Sequence, residues 1–153
     1  MSIDLLSAVT GGAQTGFTTP GYTMTADTAA QGAAKSAVVS ALTGTQTGAR
    51  THSIASPFQV SWFASNGVVT PTVGSDGVLR NVPRNIHQLI VRQGELPLAG
   101  QQFTPALFKG RFEIPAGADT ADSAQLRALV SFVVGMLWRN SSGISDTLIS
   151  NVP

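Results

Sequence analysis

The sequence contains no cysteine. That excludes a disulfide framework and thiolate chemistry, and it leaves the redox compartment open. Charge is scarce too: Asp, Glu, Lys and Arg make up 11% of 153 residues, with a formal net charge of +1. A typical soluble domain carries about 25%. With so few charges to keep a free monomer in solution, much of the surface is expected to be hidden against other copies. Glutamate occurs only at Glu95 and Glu113, each without a second acid nearby in sequence, so a glycosidase-type carboxylate pair is unsupported. His52 and His87 have no carboxylate or cysteine at ligand spacing, so there is no metal signature. No G-x-S-x-G elbow is present. Gly74-Ser75-Asp76-Gly77 is a turn and not a phosphate loop, because neither a helix nor Lys-Ser/Thr follows it. No catalytic residue and no cofactor is implied, and the chain does not read as an enzyme. The opening MSIDLLSAVTGGAQ lacks a positive n-region and its apolar run is broken, unlike a signal peptide. The apolar run from Ala128 to Trp138 falls well short of the ~20 residues of a membrane span, so no membrane partner is expected.

What is present points to an α+β fold in a single domain over residues 1–153. An N-terminal β-hairpin and an antiparallel sheet of about six strands reach residue 115, and one long and one short helix follow over about 120–150. Ile3 to Thr10 and Gly16 to Thr25 form the hairpin, with Pro20-Gly21 marking an edge or a bulge. Lys35 to Leu42 is the third strand and Thr43 to Gly48 a turn. Arg50 to Ser65 follows as a long strand kinked at Pro57. Residues 66–83, dense in Gly, Pro and Asp, form a long exposed loop of the kind that is usually functional or mobile. Asn85 to Gln93 is the next strand, and Gly94 to Pro105 the next loop.

The stretch Phe108 to Trp138 organises the rest. Phe108, Phe112 and Ile114 alternate with Lys109, Arg111 and Glu113, the period of a half-buried strand. Pro115 and Gly117 stop that strand, and Asp119, Thr120 or Asp122 can cap the helix that follows. On that helix Ala124, Ala128, Ser131 and Gly135 fall within roughly 60° of one another at 100° per residue, a stripe of small side chains. Phe132, Met136 and other large apolar residues occupy nearly everything else. A helix apolar almost all round must be buried on more than one side. The stripe admits close approach of another backbone, either a second copy of this helix or the core of an ordinary monomer. A helix of about 17 residues spans roughly 25 Å. A six-stranded sheet is some ~29 Å across. Either the sheet folds on itself or a partner supplies the missing cover.

Seven of the nine Lys and Arg residues lie from Arg80 onward, compatible with one basic face for a polyanion. By the same alternation Gln59, Ser61 and Phe63 share a face, opposite Phe58, Val60 and Trp62. On the following strand Gln88, Ile90 and Arg92 oppose Leu89 and Val91.

The run IPAGADTADSAQLRALVSFVVGMLW, preceded by LFKGRFE and HQLIVRQGELPLAG, resembles the coat proteins of single-stranded RNA bacteriophages, the leviviruses and their relatives. The resemblance is carried by Arg84 to Trp138; upstream it rests on strand order. It implies a capsid protein whose two copies pair through their sheets and interlock their C-terminal helices, here through Ala124, Ala128, Ser131, Phe132, Gly135 and Met136. It implies an icosahedral shell, typically T=3, assembled in the bacterial host cytoplasm and forming the virion. It also implies binding of single-stranded genomic RNA, including a hairpin whose capture represses translation. Placed on this chain, the RNA face would comprise Gln59, Ser61, Gln88, Ile90, Arg92, Leu107, Lys109, Arg111 and Glu113. Leu107 falls where family members often place an aromatic that stacks on a loop base. Neither Gln88 nor Ile90 matches the family's small hydroxyl residue. The other reading of the residues is a cellular β-rich module whose basic strand face holds a ligand.

Overall fold

The computed structural model describes residues 2–29 and 31–152. Six strands form one antiparallel sheet in which each strand pairs with the next in sequence. They are β1 (Val9–Thr10), β2 (Thr18–Ala26), β3 (Lys35–Thr45), β4 (Phe58–Phe63), β5 (Arg84–Glu95) and β6 (Thr104–Pro115). Three helices follow: α1 (Ala118–Ala121), α2 (Ser123–Arg139) and α3 (Ser141–Ser150). The expected α+β class and strand order are therefore found, with several boundaries moved.

The first expected strand shrinks from Ile3–Thr10 to Val9–Thr10 because Asp4 competes for the backbone. Its carboxylate accepts from the Leu6 amide at 2.8 Å and from the Ser7 amide at 3.4 Å, folding the segment into a turn. The irregularity at Pro20-Gly21 is a bulge in β2, where the register shifts between Thr18 and Gly21. β3 runs on to Thr45, so the expected turn at Thr43 begins later. Gly44, at φ 74°, permits this: a Cβ there would lie 2.1 Å from the Thr19 carbonyl oxygen.

The long strand expected over Arg50–Ser65 is only six residues, Phe58–Phe63. Upstream of it the Ser53 amide donates to the Ser56 carbonyl at 3.0 Å, and the Phe58 amide donates to His52 Nδ1 at 3.0 Å. Those local bonds occupy backbone groups that a sheet ladder would need. The helical region is also divided. Gly117 (φ 87°) introduces the single turn of α1, and Asp122 (φ −143°, ψ 48°) breaks the chain before α2. None of Asp119, Thr120 or Asp122 makes a side-chain capping bond. The second, short helix expected before residue 150 is the ten-residue α3.

The sheet alone does not make a core. Among the described residues the buried aliphatic side chains are Ala37, Val39, Ile90 and Ala116. The chain exposes 10610 Å². A compact monomer of 15.8 kDa exposes about 7,300 Å², so roughly 3,300 Å² is in excess.

Candidate nucleic-acid and subunit interfaces

Register fixes which side chains share a face. Arg92 stands opposite Leu107, Ile90 opposite Lys109, Gln88 opposite Arg111 and Ile86 opposite Glu113. Across the other edge of β5, Gln59 pairs with Arg92 and Ser61 with Ile90. All nine residues expected at an RNA face therefore lie on one side of β4, β5 and β6, in adjoining rows. One charged residue was missed. Arg84 has the same parity as Gln88 and Arg92 and belongs to this face, but the strand was expected to start one residue later.

The nine are not equally available. Lys109, Arg111, Leu107 and Glu113 on β6 are exposed, while Gln59, Gln88 and Arg92 are half-buried. Ser61 is 0% exposed and shares a 3.0 Å hydrogen bond with the buried Ser36 hydroxyl on β3. Its hydroxyl serves the sheet and is closed to any ligand, contrary to its expected place at a contact surface. Ile90, 9% exposed, likewise packs within the sheet. Gln59 is partly engaged, donating to Asp27 at 2.6 Å.

The charge pattern on this face is cationic with one anionic centre. Arg111 Nε lies 2.9 Å from Glu113 Oε1, and Arg84 Nη1 lies 3.8 Å from Glu113 Oε2. Two guanidiniums thus flank one carboxylate, and Lys109 and Arg92 add positive charge along the same face. Exposed ion pairs of this kind contribute little to stability. Their effect is to orient the guanidiniums while the net field stays positive, which suits phosphates.

The opposite face is apolar and only partly covered. Tyr22, Met24, Val39, Phe58, Val60 and Leu89 line a hollow of about 330 Å³ whose other side is Ile3, Leu5 and Val9. Burial raises the Tyr22 phenol above its ordinary pKa. Nearer β6, Trp62 stacks on His87 with ring centroids 6.0 Å apart. These two, with Phe112 and Ile114, face Leu126 and Val130 of α2 across a second hollow of about 260 Å³.

Helix α2 buries none of its residues. Phe132 is 67% exposed and Met136, Val134 and Trp138 are exposed as well. Along the small stripe, a Cβ built on Gly135 meets nothing within 4 Å. Ala124, Ala128, Ser131 and Gly135 therefore face open space in the single chain. The C-terminal end is better fixed. The Ser141 hydroxyl donates to the Ala13 carbonyl at 2.8 Å, and the Thr15 hydroxyl donates to the Asp146 carboxylate at 2.9 Å, tying α3 to the loop before β2. Among the described residues no three His, Cys, Asp or Glu side chains gather as a metal site. Among the described residues no helix is long and apolar enough to cross a membrane.

No family model and no curated protein matches the chain. Among solved structures, a virus-like particle of bacteriophage ESE020 is similar, at 40% sequence identity and a TM-score of 0.94. The similarity covers 99% of this chain and 100% of that one. Likeness at that identity over the full length carries the fold and the strand order together. The chain belongs to the bacteriophage coat proteins of the levivirus type.

Proposed function

We propose that this chain is a capsid subunit that dimerises through α2, assembles into an icosahedral shell and packages single-stranded RNA against the β4–β6 face. One observation carries the reading: a helix that is mostly apolar, and almost continuously so from Ala128 to Trp138, buries none of its residues in its own chain. Burying apolar surface yields about 25 cal/mol per Å². Leaving α2 and the apolar sheet face wet is therefore unfavourable by many kcal/mol, and a second copy offers complementary surface for both. The excess of roughly 3,300 Å² compares with the 1,000–2,500 Å² each partner contributes to a large obligate interface, leaving area for contacts between dimers.

In the dimer, the stripe Ala124, Ala128, Ser131 and Gly135 brings two α2 helices into close approach, with Phe132 and Met136 alongside. Dimerisation joins two sheets edge to edge, doubling the cationic face. Lys109, Arg111, Arg92 and Arg84 then meet phosphates, while Gln88, Gln59 and Leu107 are the groups available to bases. A hairpin held there would block translation of the message that carries it. The ESE020 particle supports the assembly reading by its likeness to this chain. Family membership sets aside a cellular ligand-binding module and an enzyme. Overproduction in bacteria followed by electron microscopy and nuclease-protected RNA analysis tests the proposal. Uniform shells containing RNA are expected; a soluble species that never assembles would overturn it.

A further inference from the structure

Glu113 is out of place on a face read as a landing for phosphates. On β4, β5 and β6 the charged side chains of that face are Arg84, Arg92, Lys109, Arg111 and Glu113, so a single carboxylate stands among cations. Stability does not account for it. Both guanidiniums beside it are more than half exposed, and exposed ion pairs contribute little. The grip is also loose on one side, since 3.8 Å from Arg84 to Glu113 is beyond hydrogen-bond reach.

We propose that Glu113 is an internal competitor for the RNA backbone. Its carboxylate occupies the anion position between Arg84 and Arg111, and a phosphate that lands there has to displace it. The inference rests on the RNA face proposed above and concerns how tightly that face binds. A carboxylate and a phosphate offer a guanidinium the same charge-assisted contacts, so the two exclude each other at one position. Backbone register puts the competitor there. Glu113 and Arg111 are two residues apart on β6 and share a face, and Arg84 stands two residues before Ile86, the cross-strand partner of Glu113. The strands therefore keep the carboxylate beside both arginines whether or not RNA is present. The face keeps all its cations, and its hold on RNA is moderated and reversible.

Filter binding of a short single-stranded RNA of mixed sequence to the full-length chain, across a salt series, tests this. The central variant is Glu113→Gln, which keeps the size of the side chain and removes its charge. It should bind about fivefold more tightly at low salt, the effect of one unit charge about 4 Å away in water. The slope of log affinity against log salt should steepen by up to about 0.7, the share of one phosphate on a single strand. In an Arg111→Ala background the gain should fall below about twofold, because only the long Arg84 contact is left to compete for. Weaker binding by Glu113→Gln would show that the carboxylate positions the arginines, and unchanged binding that it is idle. An equal gain in the Arg111→Ala background would show a general field and no competition. Each of these overturns the competitor alone when Lys109→Ala with Arg111→Ala still loses RNA. If that double variant and Glu113→Gln both bind like the unaltered chain, the RNA face falls and the competitor with it.

Discussion

The Asn85 side chain grips the backbone of Val69 from both sides. Its Oδ1 accepts from the Val69 amide at 2.9 Å, and its Nδ2 donates to the Val69 carbonyl at 3.3 Å. Asn85 is buried at the start of β5, on the apolar face. One side chain thus pins a long loop, residues 64–83, to the sheet near the point where its two ends meet. Replacing Asn85 with Ala removes both bonds and should lower stability by about 1–3 kcal/mol. Urea unfolding measures that loss. Limited proteolysis should show earlier cleavage within 66–83, while strand content by circular dichroism stays unchanged.

Gly135→Leu separates folding from association. The space around Gly135 is empty in the single chain, so the larger side chain meets no clash there and the subunit should fold. Close approach of two α2 stripes is then obstructed. Size-exclusion chromatography should show monomers in place of dimers and shells. Gly44→Ala is the counterpart in which the fold itself suffers, because φ is 74° and the Cβ would collide with the Thr19 carbonyl.

Lys109→Ala combined with Arg111→Ala should reduce the RNA content of particles. Binding to single strands should lose about 1.4 from the slope of log affinity against log salt, since each phosphate contact contributes about 0.7. Filter binding across a salt series reads this directly. Ser61→Ala is the control on the same face. Because its hydroxyl is occluded, RNA content should stay constant while stability falls modestly through loss of the Ser36 bond.

Acid should loosen the Asp4 turn. The Ser7 hydroxyl, followed by the Leu6 amide, holds the Asp4 carboxyl below its ordinary value of 3.8. A depressed folded-state pKa means that the ionised group favours the folded turn. The contribution is present above the unfolded pKa and is lost as pH falls through the lowered value. Amide resonances of Leu6 and Ser7 should therefore move, and exchange faster, below about pH 4. Asp4→Asn should weaken the pH dependence at these two amides.

Much of this architecture was legible because strand alternation is local. Lys109, Arg111 and Glu113 could be placed on one face, and Gln88 and Arg92 on another strand's matching face, from period two alone; pairing then brought them together. Arg84 escaped because β5 begins one residue before its expected start. The segment over Arg50–Pro57 misled for a different reason. Its composition suits a strand, but His52 captures the Phe58 amide and Ser53 bonds to Ser56, contacts that alternation does not encode. Ile3–Ser7 failed similarly, through the Asp4 carboxylate. The burial of Ser61 was hidden too, since it depends on a hydroxyl from β3 and on larger neighbours on either side. The lack of apolar cover was visible from both ends of the argument. A helix apolar almost all round announces missing neighbours, and the structure leaves that helix with none of its residues buried.

Because spatial strand order repeats chain order from β1 to β6, each strand can join the sheet as it leaves the ribosome. No early strand waits for a distant one, which keeps loop-closure costs low and folding fast. The most apolar segment, α2, is translated after all six strands, so the sheet is complete before that helix emerges. A nascent subunit therefore displays that segment only at the end of synthesis, which shortens the time before a second copy can cover it.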